Sequence, residues 1–292
     1  MQTALDKKKN SVQGGYYSSP ALYENQVLFV SEGDLWHVST QGGIAERRTC
    51  GLGAVDTPHF SPDGSWIAFT GTQEGHQEVY LMPILGGIPQ RLTFFDQTAV
   101  VLGWTPEGKI LFKSNHGAPF SQSFSLYTLA TTGGEPQKLS TGFANAICFH
   151  PQTKGCVIQR HGYGYLNWKR YRGGTAGELW IDSSGTGNFE KLLNLESNNL
   201  QPLWIQDRIY FLSDHEGHGN IYSCTPSGED LRRHTDAESF YVRQISQGAG
   251  FGDSRIIYKE GADLKILNVE TGKIDEIRII YPSVFPEKTH FF

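Results

Sequence analysis

Short apolar runs of four to six residues recur along this chain, each bounded by turn residues and none long enough for a helix. The clearest unit spans residues 58–93. It reads Pro58-His59-Phe60-Ser61-Pro62-Asp63-Gly64, then a β-rich run over 66–70, a second over 78–83, a Gly86-Gly87 turn and Arg91-Leu92-Thr93. Pro62 presets φ, and Asp63-Gly64 supplies the side-chain bond and the left-handed position of a tight turn. The flanking runs are rich in aromatic and aliphatic residues and read as strands. Almost no segment shows a 3.6-residue period, and no alternation of strand and helix appears.

The same grammar returns five more times. Each copy has an aliphatic run, then a polar residue (Asp34, Glu78, Ser125, Glu178, Asn220, Asp263) followed by aliphatic residues, then a glycine turn. The turns fall at Gly42-Gly43, Gly86-Gly87, Gly133-Gly134, Gly185, Gly228 and Gly272, so successive last glycines are 44, 47, 51, 43 and 44 residues apart. A period of roughly 40–50 residues with four strands per unit is the signature of a β-propeller. The expectation is an all-β chain: a six-bladed β-propeller of four-stranded antiparallel blades over residues 16–281, a flexible segment over 1–15, and the start of a linker over 282–292. The even spacing is broken by insertions over 115–124 in blade three and 161–177 in blade four, which map to loops on one face.

Composition narrows the function. A net charge of -5 argues against a nucleic-acid partner recruited by bulk electrostatics. Cys50, Cys148, Cys156 and Cys224 form no CxxC and no zinc spacing, so they read as reduced thiols. No apolar run approaches the roughly 18 residues of a membrane helix. Lys7-Lys8-Lys9 is followed by no apolar stretch, which argues against a secretory signal and makes the cytoplasm the expected location. No cofactor or metal is expected.

Candidate chemistry is sparse. His215-Glu216-Gly217-His218 has histidines at i and i+3 between strands, whereas a zinc-protease helix needs i and i+4. It matches the blade position of Gln73-Glu74-Gly75-His76 and reads as a turn. No GxSxG elbow is present, and Gly248-Ala249-Gly250-Phe251-Gly252 lacks the lysine of a phosphate loop. The densest unusual chemistry is Trp168-Lys169-Arg170-Tyr171-Arg172 in the blade-four insertion, with Arg232-Arg233 closing blade five. Trp168, Lys169, Arg170, Arg172, Arg232 and Arg233 are the candidate peptide- or interface-binding residues. Arginine forks suit carboxylates and partner surfaces, and equally suit carbonyls at a blade junction.

The stretch Trp168-Lys169-Arg170-Tyr171-Arg172-Gly173-Gly174-Thr175 resembles the amino-terminal region of the tricorn protease family. So do Asp34-Leu35-Trp36, Pro119-Phe120-Ser121, Arg208-Ile209-Tyr210-Phe211 and Asp230-Leu231-Arg232-Arg233-His234-Thr235. The resemblance covers residues 20–277. It implies a six-bladed domain of a large cytoplasmic serine peptidase that trims oligopeptides and assembles as a hexamer. The following domains, namely a second propeller, a PDZ-like domain and catalytic subdomains, would supply the chemistry. Partners implied are those downstream domains, oligopeptides and further copies of the protein. No catalytic residue carries over, and the chain from Ile279 through Lys288 reads as the lead-in to a following domain. One departure stands out: where some members carry adjacent arginines between blades two and three, residues 94–101 here hold no basic residue. The competing expectation is a stand-alone TolB-like propeller acting as an interaction scaffold.

Overall fold

Successive residues of a central strand in this chain serve different neighbours. In Gln26–Ser31, Leu28 packs toward blade two with Ile67, Phe69 and Met82, while Val27 and Phe29 pack toward blade six with Ile257, Leu264 and Ile266. In Trp66–Gly71, Ile67 and Phe69 face blade one and Ala68 faces blade three. Such strands have no polar face to show, so they read as continuous apolar runs. The computed structural model describes residues 16–51, 53–162, 170–250 and 252–282, and among these there is no helix.

Six four-stranded sheets form a ring of blades, each built from strands that follow one another in the chain and pair antiparallel, save that in blade one the short strand Gly43–Ile44 intervenes before the outer strand Glu46–Arg47. The six-bladed propeller expected from the glycine period is the fold. The inner strands are Ser18–Tyr23, Val55–Phe60, Ala99–Trp104, Ala146–Phe149, Asn199–Ile205 and Val242–Gln247. Third strands begin at the recurring polar residues Asp34, Glu78, Ser125, Glu178, Asn220 and Asp263. The periodic glycines follow the third strands, with φ between 69° and 141°. Three of them are also required by contact: a Cβ would stand 2.5 Å from Arg278 O at Gly42, 2.5 Å from Lys154 O at Gly185 and 2.1 Å from Leu192 O at Gly228.

The polar residue that opens a third strand locks the outer strand to it. In blades one, two and five a threonine hydroxyl (Thr49, Thr93, Thr235) donates to Asp34, Glu78 and Asn220 and accepts the N–H of Leu35, Val79 and Ile221 at 2.9, 2.9 and 3.0 Å. An arginine two residues earlier joins the clasp: Arg47 pairs with Asp34, and Arg91 pairs with Glu78 at 3.0 Å. A buried carboxylate is stable there because hydrogen bonds and a cation replace its water.

Closure is made without exchanging a strand between the first and last blades. Ile279–Ile280 leaves blade six and pairs in parallel with Gly43–Ile44 of blade one, with Gly43 N–H donating to Arg278 O at 3.0 Å and Ala45 N–H to Ile280 O at 2.9 Å. Ile277 and Ile279 enter the core between these blades, and Tyr281 lies against Trp36 with ring centroids 4.5 Å apart. Nearer the axis, Ala249 N–H donates to Leu22 O at 2.7 Å, and Arg255 Nη1 reaches Glu24 O at 2.7 Å. The loop over 248–252, glycine-rich in sequence, thus serves ring closure through its described residues. The expected flexible segment over 1–15 and linker residues 283–292 lie outside the described residues.

This closure yields a prediction. Ile279→Ala should lower unfolding free energy by about 2–4 kcal/mol, as truncation of a buried Ile does. Ile280→Ala, one residue along and exposed, should change it by less than about 0.5 kcal/mol. Urea denaturation of the two variants checks this, and equal effects would mean that the segment is not a clasp.

Candidate functional site

The inner strands surround a central cavity of about 340 Å³, lined among others by Pro20, Phe60, Trp104, Phe149, Leu203 and His59. Four of these strands carry a residue with left-handed backbone: Ser19 (φ 48°), Thr57 (φ 45°), Gln201 (φ 50°) and Gln244 (φ 54°). At each, the register with the second strand shifts by a bulge. Bulges bend a strand and re-aim its side chains. After three of them comes proline (Pro20, Pro58, Pro202), which removes one N–H from the channel wall.

The bulged residues also stitch blade to blade. Gln159 Oε1 accepts Gln201 N–H at 2.8 Å, Gln201 Oε1 accepts Ile245 N–H at 3.2 Å, and Gln244 Oε1 accepts Ser19 N–H at 3.1 Å. Ser19 Oγ donates to Asp56, and Thr70 Oγ1 accepts Val101 N–H at 3.0 Å. Five of the six junctions are strapped in this way. Burial pushes the His59 imidazole down to about 4, so the channel wall presents a neutral ring at neutral pH.

Hairpins between second and third strands crown one mouth of the channel. Blades one and six have two-residue turns there, Glu32-Gly33 and Gly261-Ala262, whereas blades two to five carry the longer segments 72–77, 115–124, 161–177 and 214–219. Both sequence insertions therefore sit on the same mouth, on adjacent blades. The His215-Glu216-Gly217-His218 segment is the blade-five turn, as its sequence position suggests.

Among the candidate residues, Arg170 and Arg172 are brought together on blade five. Asp214, 5% exposed, accepts the Arg170 N–H at 2.9 Å and Arg172 Nη1 at 2.9 Å, while its own carbonyl accepts Arg172 Nη2 at 3.0 Å. Arg170 Nε donates to Gly217 O at 2.8 Å. The insertion is thus bolted across the four–five junction by arginines that bond carbonyls and one carboxylate. Trp168 and Lys169 lie outside the described residues. Arg233 sits apart, in the blade-five clasp, where Nε reaches Thr235 O at 2.8 Å as Arg91 Nε reaches Thr93 O at 2.8 Å in blade two. Its Nη1 meets Glu216 at 3.1 Å. Arg232 is exposed beside Asp230 and is the one of these arginines that faces solvent most freely.

Two serine–histidine contacts invite comparison with a nucleophile and its base: Ser213 Oγ with His215 Nδ1 at 3.1 Å, and Ser223 Oγ with His234 Nε2 at 2.7 Å. Ser213 is 2% exposed and Ser223 fully buried, so neither hydroxyl can reach a substrate carbonyl. Burial likewise raises the thiols, Cys156 to about 11 and Cys224 to about 12, which keeps them protonated. Sequence reasoning passed over the straps Gln159, Gln201 and Gln244 and the hub Asp214. The repeated residue–proline steps at Ser19, Thr57 and Gln201 were the available signal for the bulges.

Two measurements follow from this geometry. Asp214→Ala should cost about 2 kcal/mol, since it strands buried donors, and should speed amide exchange over 170–177; unchanged exchange would remove Asp214 as the anchor. His59 and His234 are both held near 4, below the ordinary histidine value, by burial, with nearby arginines adding to the effect at His234. A group whose folded value is depressed takes up protons first in the unfolded chain. Stability should therefore be whole above about pH 6.5 and fall toward pH 4, with the slope reduced in a His59→Gln variant.

Comparison with known proteins agrees with this architecture. The family model described as the tricorn protease N-terminal beta propeller domain matches residues 14–273. Tricorn protease homolog 1 of Streptomyces coelicolor is 37% identical over 255 residues, covering 87% of this chain and 23% of that protein. A putative tricorn-like protease N-terminal subunit of Sulfurisphaera tokodaii is 31% identical over 191 residues, covering 61% of this chain and 95% of its own length. The crystal structure of the tricorn protease superimposes with a TM-score of 0.81 at 29% identity, over 91% of this chain and 26% of that one. The chain thus spans about a quarter of the length of the full tricorn proteins it matches. On the family match, the six-bladed ring and the shared sequence, it belongs to the tricorn protease family, in the part that forms the N-terminal β-propeller.

Proposed function

We propose that this chain is a non-catalytic propeller that guides or gates oligopeptides for a tricorn-type serine peptidase and adds assembly surface to it. The observation that carries this reading is the central cavity. Its volume falls at the lower end of the range of ligand-holding cavities, about 300–1,000 Å³. Its wall is mostly apolar, with Asp56 as a charged member, and each inner strand is paired with another strand of its own blade on one side only, so that between the straps an edge is left for an extended chain. The pairs that look like catalytic serine and histidine are sealed in the blades. Peptide hydrolysis would then belong to downstream domains, and copies of the assembled protein would associate, in the cytoplasm. That a relative named as an N-terminal subunit aligns over nearly its whole length supports a propeller working beside separately built catalytic parts.

The tests are direct. A photoreactive oligopeptide should crosslink to inner-strand residues such as Phe60, Trp104 and Phe149. Crosslinks confined to the outer strands would overturn the guiding role. The purified chain should show no turnover of short fluorogenic peptides, and robust turnover abolished by one substitution within it would make it a catalyst instead.

A further inference from the structure

The cavity is not symmetric about the axis. Every residue lining it belongs to an inner strand or the loop that follows one, except Leu111 on the second strand of blade three, Ile110–Ser114. The space therefore runs sideways at one junction, between blades three and four. There the inner strands Ala99–Trp104 and Ala146–Phe149 touch less than any other neighbouring pair. Leu102, Leu111, Ile147 and Phe149 wall the recess, and all belong to the core cluster of that junction.

The splay has a local cause. Thr70 and Gln159 stand one residue before the end of their second strands, opposite Val79 and Leu179, and each accepts an N–H from the next blade. Lys113 holds the same place, opposite Leu126. An ammonium only donates, so it cannot accept a backbone N–H as they do. Among the described residues this junction alone has no strap. Lys113 Nζ lies over the Phe124 ring at 4.9 Å with no carboxylate paired to it among the described residues, and burial draws it down to about 8. On the facing blade Asn145 is 8% exposed. Its Nδ2 donates to His161 O at 2.9 Å, while its Oδ1 has no partner among the described residues. A buried acceptor left unpaired is costly, and a ligand N–H would recover that cost.

Lys113 and Asn145 stand two positions along the chain from Leu111 and Ile147, on the same side of the blade, and an apolar recess with such a donor and acceptor beside it complements one kind of group: a peptide residue, with an apolar side chain, a carbonyl and an N–H. We propose that the recess between blades three and four is a subsite for one apolar side chain of an extended peptide in the channel, with Lys113 facing a peptide carbonyl and Asn145 Oδ1 a peptide N–H. The subsite rests on the channel reading above and adds a preference to it. A charged side chain would lose its hydration among Leu102, Leu111 and Ile147.

End-capped pentapeptides Ala-Ala-X-Ala-Ala, with X as Leu, Ala or Glu, titrated calorimetrically into the intact chain, test this. The Leu peptide should bind about tenfold more tightly than the Ala peptide, the scale of added apolar contact in a pocket. Leu111→Trp, or Ile147→Phe should the first variant fail to fold, should erase that preference by filling the recess, bringing the Leu and Ala peptides within about twofold of each other. Equal affinity for Leu and Ala, or preference for Glu, overturns the subsite alone. No binding by any of the three overturns the channel reading together with the subsite.

Discussion

A blade of this protein has two apolar faces, and only another blade can cover each of them. Leu28 and Phe29 are adjacent in the chain yet belong to the cores on opposite sides of blade one. Stacking six such sheets leaves one face of the first and one of the last uncovered unless the stack bends into a ring. Everything else follows from that closure. The inner strands are forced together around an axis, the bulges at Ser19, Thr57, Gln201 and Gln244 curve them, and the space left at the centre is the cavity.

Closure here depends on a short parallel pairing rather than on a shared strand. Ile279 and Tyr281 fill the seam beside Trp36 and Tyr17, and the glycine at 42 is needed because the returning backbone passes too close for any Cβ. The chain leaving blade six therefore completes the ring before it goes anywhere else. Whatever follows it in a longer protein would pull directly on the six–one seam.

The polar interior is organised around satisfying donors. Glutamine, threonine and aspartate acceptors strap five junctions, and Asp214 gathers the arginines of the blade-four insertion. A single exchange of acceptor for donor, Lys113 where neighbours have Thr70 and Gln159, coincides with the one junction that opens toward the channel. The arginines that look most available for a partner in sequence are largely occupied within the fold. Arg172 and Arg233 are held by carboxylates and carbonyls, which leaves Arg232 on the surface.

Much of the fold was legible in the chain alone. The glycine turns demand left-handed backbone at a regular interval, the apolar runs demand strands buried on both faces, and the polar residues that open third strands fall where they were read. The 51-residue step marked the insertion, and the residues around it pointed to the family. Those are local properties, fixed by backbone sterics and side-chain hydrophobicity over a few residues. The sequence could not say that Asp214 would receive Arg170 and Arg172 from 44 and 42 residues away, or that Gln244 would meet Ser19 across 225. Nor could it say that Ile279 would close the ring or that Leu111 would border the channel. Those depend on which residues the closed ring brings to one radius and one mouth, and only tertiary structure sets such distances, because they come from curvature summed over six blades.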